Sequence, residues 1–174
     1  EPLLRRDLSQ LVELIGRKPA ITDLALTTNG VALVDQAGAL SDAGLHRITV
    51  SLDTLQPDRF RALTRFDALP QVLAGIDEAR RHFSDLKLDA VIMRGTNDDE
   101  IVALLEYAGR IGAELRFIEY MDVGGATQWS SERVVSRQQM LEVLSQKYGP
   151  IVPLVETSSA PADRFTLPDG TVFG

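Results

Sequence analysis

The 174-residue sequence contains no cysteine and only two histidines, His46 and His82. Disulfides are therefore absent. Cysteine-ligated metals and iron–sulfur clusters cannot be assembled from this stretch, and a multi-histidine metal site is excluded. No apolar run approaches the ~18 residues of a membrane span, and the start lacks the pattern of a signal peptide. Cations are the minority: 18 Lys and Arg against 25 Asp and Glu leave a net charge of −7. Nucleic-acid binding needs a basic footprint, so no nucleic-acid partner is expected, whereas a basic pocket for one small anion stays open. Neither a Walker-type loop nor a nucleophile–base pair is present. The expectation is a cytoplasmic protein without a membrane partner.

What the chain does have is rhythm. Short apolar runs alternate with amphipathic stretches of helical period. Helices are predicted over Asp7–Arg17 with Asp7 as N-cap, Val34–Leu45 with Gly44 at its end, Ala68–Phe83, Thr96–Gly112 with Asn97 or Asp98 as cap, and Ser136–Gly149 capped by Ser136. Strands are predicted over Asp23–Gly30, His46–Asp53, Leu86–Met93 and Glu114–Met121. The tail from Pro150 is proline-broken and extended, with a turn at Pro168–Gly170. Regular β–α alternation predicts an α/β fold with a parallel sheet. The predicted division is a body over 1–150 and the start of a C-terminal extended region over 151–174.

Strand parity narrows the fold class. Ile48, Val50 and Leu52 oppose Arg47, Thr49, Ser51 and Asp53; Leu86, Leu88, Ala90 and Ile92 oppose Lys87, Asp89, Val91 and Met93. Sheets covered on both faces carry apolar residues on both. One polar face fits either an open, half-wet sheet or part of a βα-barrel with a polar lumen. Four parallel strands do not close a barrel alone.

Ligands of parallel α/β folds sit beyond the C-terminal strand ends. Polar residues of lumen parity there are the candidate contacts: Thr27 in "TTNG", Ser51 and Asp53, Lys87 with Asp89, and the Glu119–Asp122 segment. Each has a plainer reading. Gly30 supplies a positive φ for a turn, Ser51 and Asp53 cap a loop, and Lys87 pairs with Asp89, as Arg116 does with Glu114. Arg5 and Arg6, beside a helix start, would attract an anion.

The strings "EPLLRRDL", "LTTNG", "ITVSLDTLQPDRF" and "LRFIEYMDVGGATQW", in this order and spacing, resemble the radical S-adenosylmethionine (SAM) GTP 3′,8-cyclase family, which performs the first step of molybdenum cofactor biosynthesis. The resemblance implies a partial (βα) barrel of radical SAM type, here its third to sixth strands. It implies SAM and two [4Fe–4S] clusters as cofactors, both ligated by cysteines outside this stretch. It implies conversion of GTP to a 3′,8-cyclised dihydro-GTP through a 5′-deoxyadenosyl radical. On that map Glu1 belongs to a Gly-Gly-Glu-Pro motif whose glycines precede it.

Carried over by position, Glu1, Ser51, Arg116 and Met121 (through its main chain) are SAM contacts, and Thr27 and Lys87 are GTP contacts. No catalytic or metal-binding residue is assigned. A homodimer and a downstream molybdopterin-pathway protein are further partners under this reading. The stretch alone is expected to be inactive, with an unpaired sheet edge at Leu24–Asn29. The alternatives are a cluster-free nucleotide- or partner-binding half-barrel module, and a radical SAM enzyme with another substrate.

Overall fold

In the computed structural model, which describes residues 1–123, 129–155 and 162–174, the chain alternates as expected. Four parallel strands, β1 (Ala25–Thr28), β2 (Arg47–Ser51), β3 (Leu86–Ile92) and β4 (Glu114–Glu119), lie side by side in chain order. Helix α1 (Leu8–Gly16) precedes them, and α2 (Leu33–Asp42), α3 (Pro57–Thr64), α4 (Leu69–His82), α5 (Ile101–Ile111) and α6 (Arg137–Tyr148) connect or follow them. β1 is one edge of the sheet.

The period-two pattern decides which face is covered. Ile48, Val50 and Leu52, together with Leu86, Leu88, Ala90, Ile92 and Leu115, join the buried positions of the helices in one apolar cluster. The alternate face carries Thr49, Ser51, Lys87, Asp89, Glu114 and Arg116. The helix layer thus covers one face and leaves the other polar. Burial of this apolar surface is the main stabilising contribution.

The tail extends the same sheet. Strands β5 (Val152–Leu154), β6 (Arg164–Thr166) and β7 (Val172–Phe173) form an antiparallel meander, and β7 pairs parallel with β4, giving the order β1-β2-β3-β4-β7-β6-β5. The Pro168–Gly170 turn is present: the Gly170 amide donates to Leu167 O at 3.0 Å, with φ 89° at Gly170.

Four local expectations need correction. Helix α3 falls between two predicted elements. Its Pro57 stands at the first turn followed by Asp58, a helix-start signal, but it buries only Phe60 and so shows no apolar stripe. Helix α5 begins at Ile101, after a 3₁₀ turn at Asp98–Glu100, and Asn97 does not cap it. The Asn97 side chain is fully buried and engaged elsewhere, as described below. Asp7 stands at the N-cap of α1 but caps no amide; its carboxylate pairs with Arg5 at 2.8 Å. Ser136 does form a capping box with Gln139 at the start of α6.

Candidate functional site

The C-terminal ends of β1 and β2, with α3 leaning over them, enclose a pocket of about 440 Å³. Its polar side is Glu1, Asn29, Ser51, Asp53 and Thr54, and its apolar wall includes Val31, Phe60, Leu63 and Phe66. A mostly apolar lining with a few convergent polar groups is the usual make-up of a small-molecule site. A larger cavity of about 590 Å³ lies beside α6 and β6–β7, and of the candidate contacts selected from the sequence Glu119 alone lines it.

Glu1 is bound tightly to the end of β1. Its Oε1 accepts from the Thr28 hydroxyl at 2.7 Å and the Leu3 amide at 3.0 Å, and its Oε2 accepts from the Asn29 amide at 2.7 Å. Burial raises the carboxyl pKa, but these donors together outweigh it and the net shift is downward. Glu1 is therefore an anchored carboxylate at the pocket rim. The turn that receives it needs Gly30, at φ 79°, where a Cβ would also come within 2.8 Å of Val50 Cγ1.

Ser51 is exposed at the end of β2 and shares the pocket with Glu1. Asp53, two residues on, accepts from the Val91 amide at 2.8 Å. Burial pushes its carboxyl pKa up; the Val91 amide offsets part of this and the nearby Asp89 adds to it.

Thr27 and Lys87 occupy one row across the sheet, Thr27↔Thr49↔Lys87↔Glu114, two strand spacings or about 10 Å apart. Lys87 is 8% exposed although it points to the polar face. Its ion pair is with Asp85, at 2.6 Å, and not with Asp89 as the sequence suggested. Asp85 lies just before β3 and can bend back to the ammonium. Asp89 instead lies opposite Arg116 in the β3–β4 register. Burial raises the Asp89 pKa, against the pull of Arg116 and Lys87, and its Oδ1 has no hydrogen-bond donor among the described residues.

Arg116 pairs with Glu114 at 3.3 Å, as parity suggested, and Glu114 also receives Arg164 at 2.7 Å. Met121 lies apart. It follows β4, is 61% exposed, and lines neither cavity. Residues 124–128 of the quoted "LRFIEYMDVGGATQW" string fall outside the described residues.

The structure thus brings Glu1 and Ser51 into one pocket and puts Thr27, Lys87 and Arg116 on the adjoining polar face. Sequence reasoning missed the α3 wall and two buried residues behind the pocket, Asn97 and Glu100. The repeated Phe60 and Phe66 in "DRFRALTRF" were the available signal for the wall. For the other two, whose partners Asp53, Thr54 and Leu55 in the connection after β2 lie roughly 45 residues away in sequence, there was none.

The fold invites comparison with known proteins. The chain is 54% identical over 179 residues to the protein named GTP 3′,8-cyclase 3 of Mycobacterium bovis, covering 100% of this chain and 47% of that protein. It is 50% identical to GTP 3′,8-cyclase 1 of Mycobacterium tuberculosis, covering 100% and 50%. A GTP 3′,8-cyclase of Thermodesulfovibrio yellowstonii is 39% identical, covering 96% and 52%. The chain spans about half the length of the curated relatives it matches.

A solved structure of TYW1 with a lysine-pyruvate adduct bound aligns with a TM-score of 0.61 at 18% identity, covering 99% of this chain and 52% of that one. That likeness bears on the fold alone, and it agrees with a parallel sheet whose helices lie on one side. The sequence pattern of the Radical SAM superfamily matches residues 1–108, from the anchored Glu1 through all of β1, β2 and β3. With more than half of its length in that pattern, the chain belongs to the Radical SAM superfamily.

Proposed function

We propose that this chain is the central part of a GTP 3′,8-cyclase, a lyase of molybdenum cofactor biosynthesis, and that it supplies the walls holding SAM and GTP. The observation that carries this is the 50–54% identity along the whole chain to relatives of that name. The site supports it. Glu1 and Ser51 face a pocket able to hold one end of SAM, with Arg116 toward the SAM carboxylate and the Met121 main chain as a further contact. Thr27 and Lys87 hold GTP, with the Lys87 ammonium toward the triphosphate. Residues 1–150 make the barrel segment and 151–174 begin a C-terminal β region.

SAM fits the residues present: anchored carboxylate, hydroxyl donors and an apolar wall. When bound, it supplies the radical chemistry. The [4Fe–4S] clusters do not fit this chain, which has no cysteine to ligate them. Their ligands lie outside these 174 residues. The chain's own work is to orient the two ligands and exclude water. A cytoplasmic location, a homodimer and hand-over to a downstream molybdopterin-pathway protein complete the reading.

Titration calorimetry of this chain with SAM and GTP tests the walls, and anaerobic reconstitution of the natural full-length protein tests the chemistry. The expected result is binding of both ligands, no turnover by the chain alone, and 5′-deoxyadenosine with a cyclised nucleotide from the full-length protein. Turnover of SAM without change in GTP would sink the cyclase reading.

A further inference from the structure

Behind the pocket, the connection between β3 and α5 grips the connection between β2 and α3. Asn97 and Glu100 do the gripping, and both are buried, at 0% and 4% exposure. The Asn97 amide nitrogen donates to Asp53 O at 2.7 Å and to Val91 O at 2.9 Å, while its Oδ1 accepts from the Met93 amide at 2.7 Å. The Glu100 carboxylate accepts from the Thr54 hydroxyl at 2.5 Å and the Leu55 amide at 2.7 Å, and it is paired with Arg59 of α3. The gripped segment is itself pocket lining: Asp53, Thr54 and Phe60 face the cavity that Ser51 also faces.

A buried carboxylate is a costly way to join two loops. An apolar contact of the same volume is often as stabilising or more so. What the carboxylate adds is direction. Its three donors come from a side-chain hydroxyl, a backbone amide and a guanidinium, and all three are satisfied in one arrangement. Arg59, which Asp99 also holds at 2.9 Å, is on the helix that carries Phe60 and Leu63, so Glu100 fixes the loop after Ser51 and shares with Asp99 the tie to the apolar wall.

We infer that Glu100 and Asn97 are positioning residues of the SAM pocket, holding the Asp53–Gln56 loop and helix α3 in the geometry that binds the ligand. The inference rests on the proposed reading of Ser51 as a SAM contact. Neither residue lines the pocket, so both act through others.

The test uses the full-length, cluster-loaded protein and measures SAM and GTP affinities separately, alongside thermal unfolding. Glu100→Gln keeps shape and removes charge; Thr54→Val removes the hydroxyl from the other side of the same bond. Each should weaken SAM binding about tenfold, since small displacements of a binding group carry losses of this order, and should leave GTP binding within about twofold. Glu100→Asp, which keeps the charge, should recover part of the loss.

Arg80→Leu is the control. It removes bonds to Ile111 O and Phe83 O, which lie near the opposite ends of α5 and α4. It should lower the melting temperature without changing SAM affinity. The double variant Ser51→Ala, Glu100→Gln should cost less than the sum of the two.

The inference is overturned if Glu100→Gln leaves SAM affinity unchanged, or if Arg80→Leu weakens it equally for the same loss of melting temperature. Ser51→Ala separates the layers. If it leaves SAM affinity unchanged while Glu100→Gln weakens it, the Ser51 contact is wrong and the latch stands, acting through α3. If Ser51→Ala weakens binding and Glu100→Gln does not, the latch is wrong and the contact stands.

Discussion

Replacing Lys87 separates a structural ion pair from a ligand contact. The Lys87 side chain is 10% exposed and its partner Asp85 is 48% exposed, with 2.6 Å between Nζ and Oδ1. The two halves of this pair are therefore not equivalent. Lys87→Met removes the cation and leaves an apolar stem in an already buried place. The abandoned Asp85 carboxylate turns to water. Stability should change by less than about 1 kcal/mol. Asp85→Asn leaves a buried ammonium without its closest counter-charge and should cost about 1–3 kcal/mol, less whatever Asp89 recovers. Urea unfolding of both variants measures the difference. GTP titration of the full-length protein measures the other role: Lys87→Met should weaken binding at least about tenfold, as loss of a charge-assisted contact does, and Asp85→Asn should not weaken it. Equal destabilisation by the two variants, with GTP affinity untouched, would refute the reasoning and leave Lys87 as a structural residue.

Three further perturbations test the frame. Gly75→Ala would ordinarily help a helix, but here the added Cβ would lie 2.5 Å from Gly30 O and 3.0 Å from Leu33 Cβ; overpacking should win and cost about 1–3 kcal/mol in denaturant unfolding. Ser136→Ala removes the capping box of α6 and should cost about 1 kcal/mol by the same measurement. Asp53 has a raised pKa, so the native state holds its proton more tightly than the unfolded chain does. Its contribution is fully favourable below the unfolded value, about 4, and is lost as pH rises through the raised native value. Asp53→Asn, which keeps the acceptor for the Val91 amide, should therefore gain melting temperature relative to the parent as pH rises across that window. A difference that shrinks with pH would contradict the assignment.

Most of the sheet was legible because its signals are local. In β2 the burial alternates without exception between Arg47 and Ser51, and a period of two needs only five residues to show itself. Helix α3 was not legible because its signal is chemical and not periodic: Pro57 and Asp58 start it, Phe60 alone is buried, and it ends on Arg65 at φ 65°, a conformation more usual for glycine. The single-helix reading of Thr96–Gly112 failed for a non-local reason. Asn97 looks like a cap in sequence, yet its Oδ1, the atom a cap would use, accepts from the Met93 amide, while its side-chain nitrogen donates to Asp53 O and Val91 O. The same holds for Glu1 with Thr28 and for Thr54 with Glu100: separations of 27 and 46 residues leave no trace in any window.

The polar face shows how far parity goes and where register takes over. Parity put Lys87, Asp89, Glu114 and Arg116 on one side without saying which face each other. Register makes Lys87 opposite Glu114 and Asp89 opposite Arg116, so each cross-strand position meets its opposite charge. Such a face is close to neutral and would attract an anionic nucleotide only weakly as a whole. In the proposed GTP site, binding would then come from a cation that can change partners. Arg116 is held by Glu114, whose side chain is 14% exposed and also takes Arg164, so moving Arg116 would leave a nearly buried carboxylate short of a donor. Lys87 is held by Asp85, which is half in water and can release it at small cost. A triphosphate would therefore draw Lys87 away from Asp85 before it disturbed Arg116, leaving the guanidinium as the preorganised part of the site and the ammonium as its adjustable part.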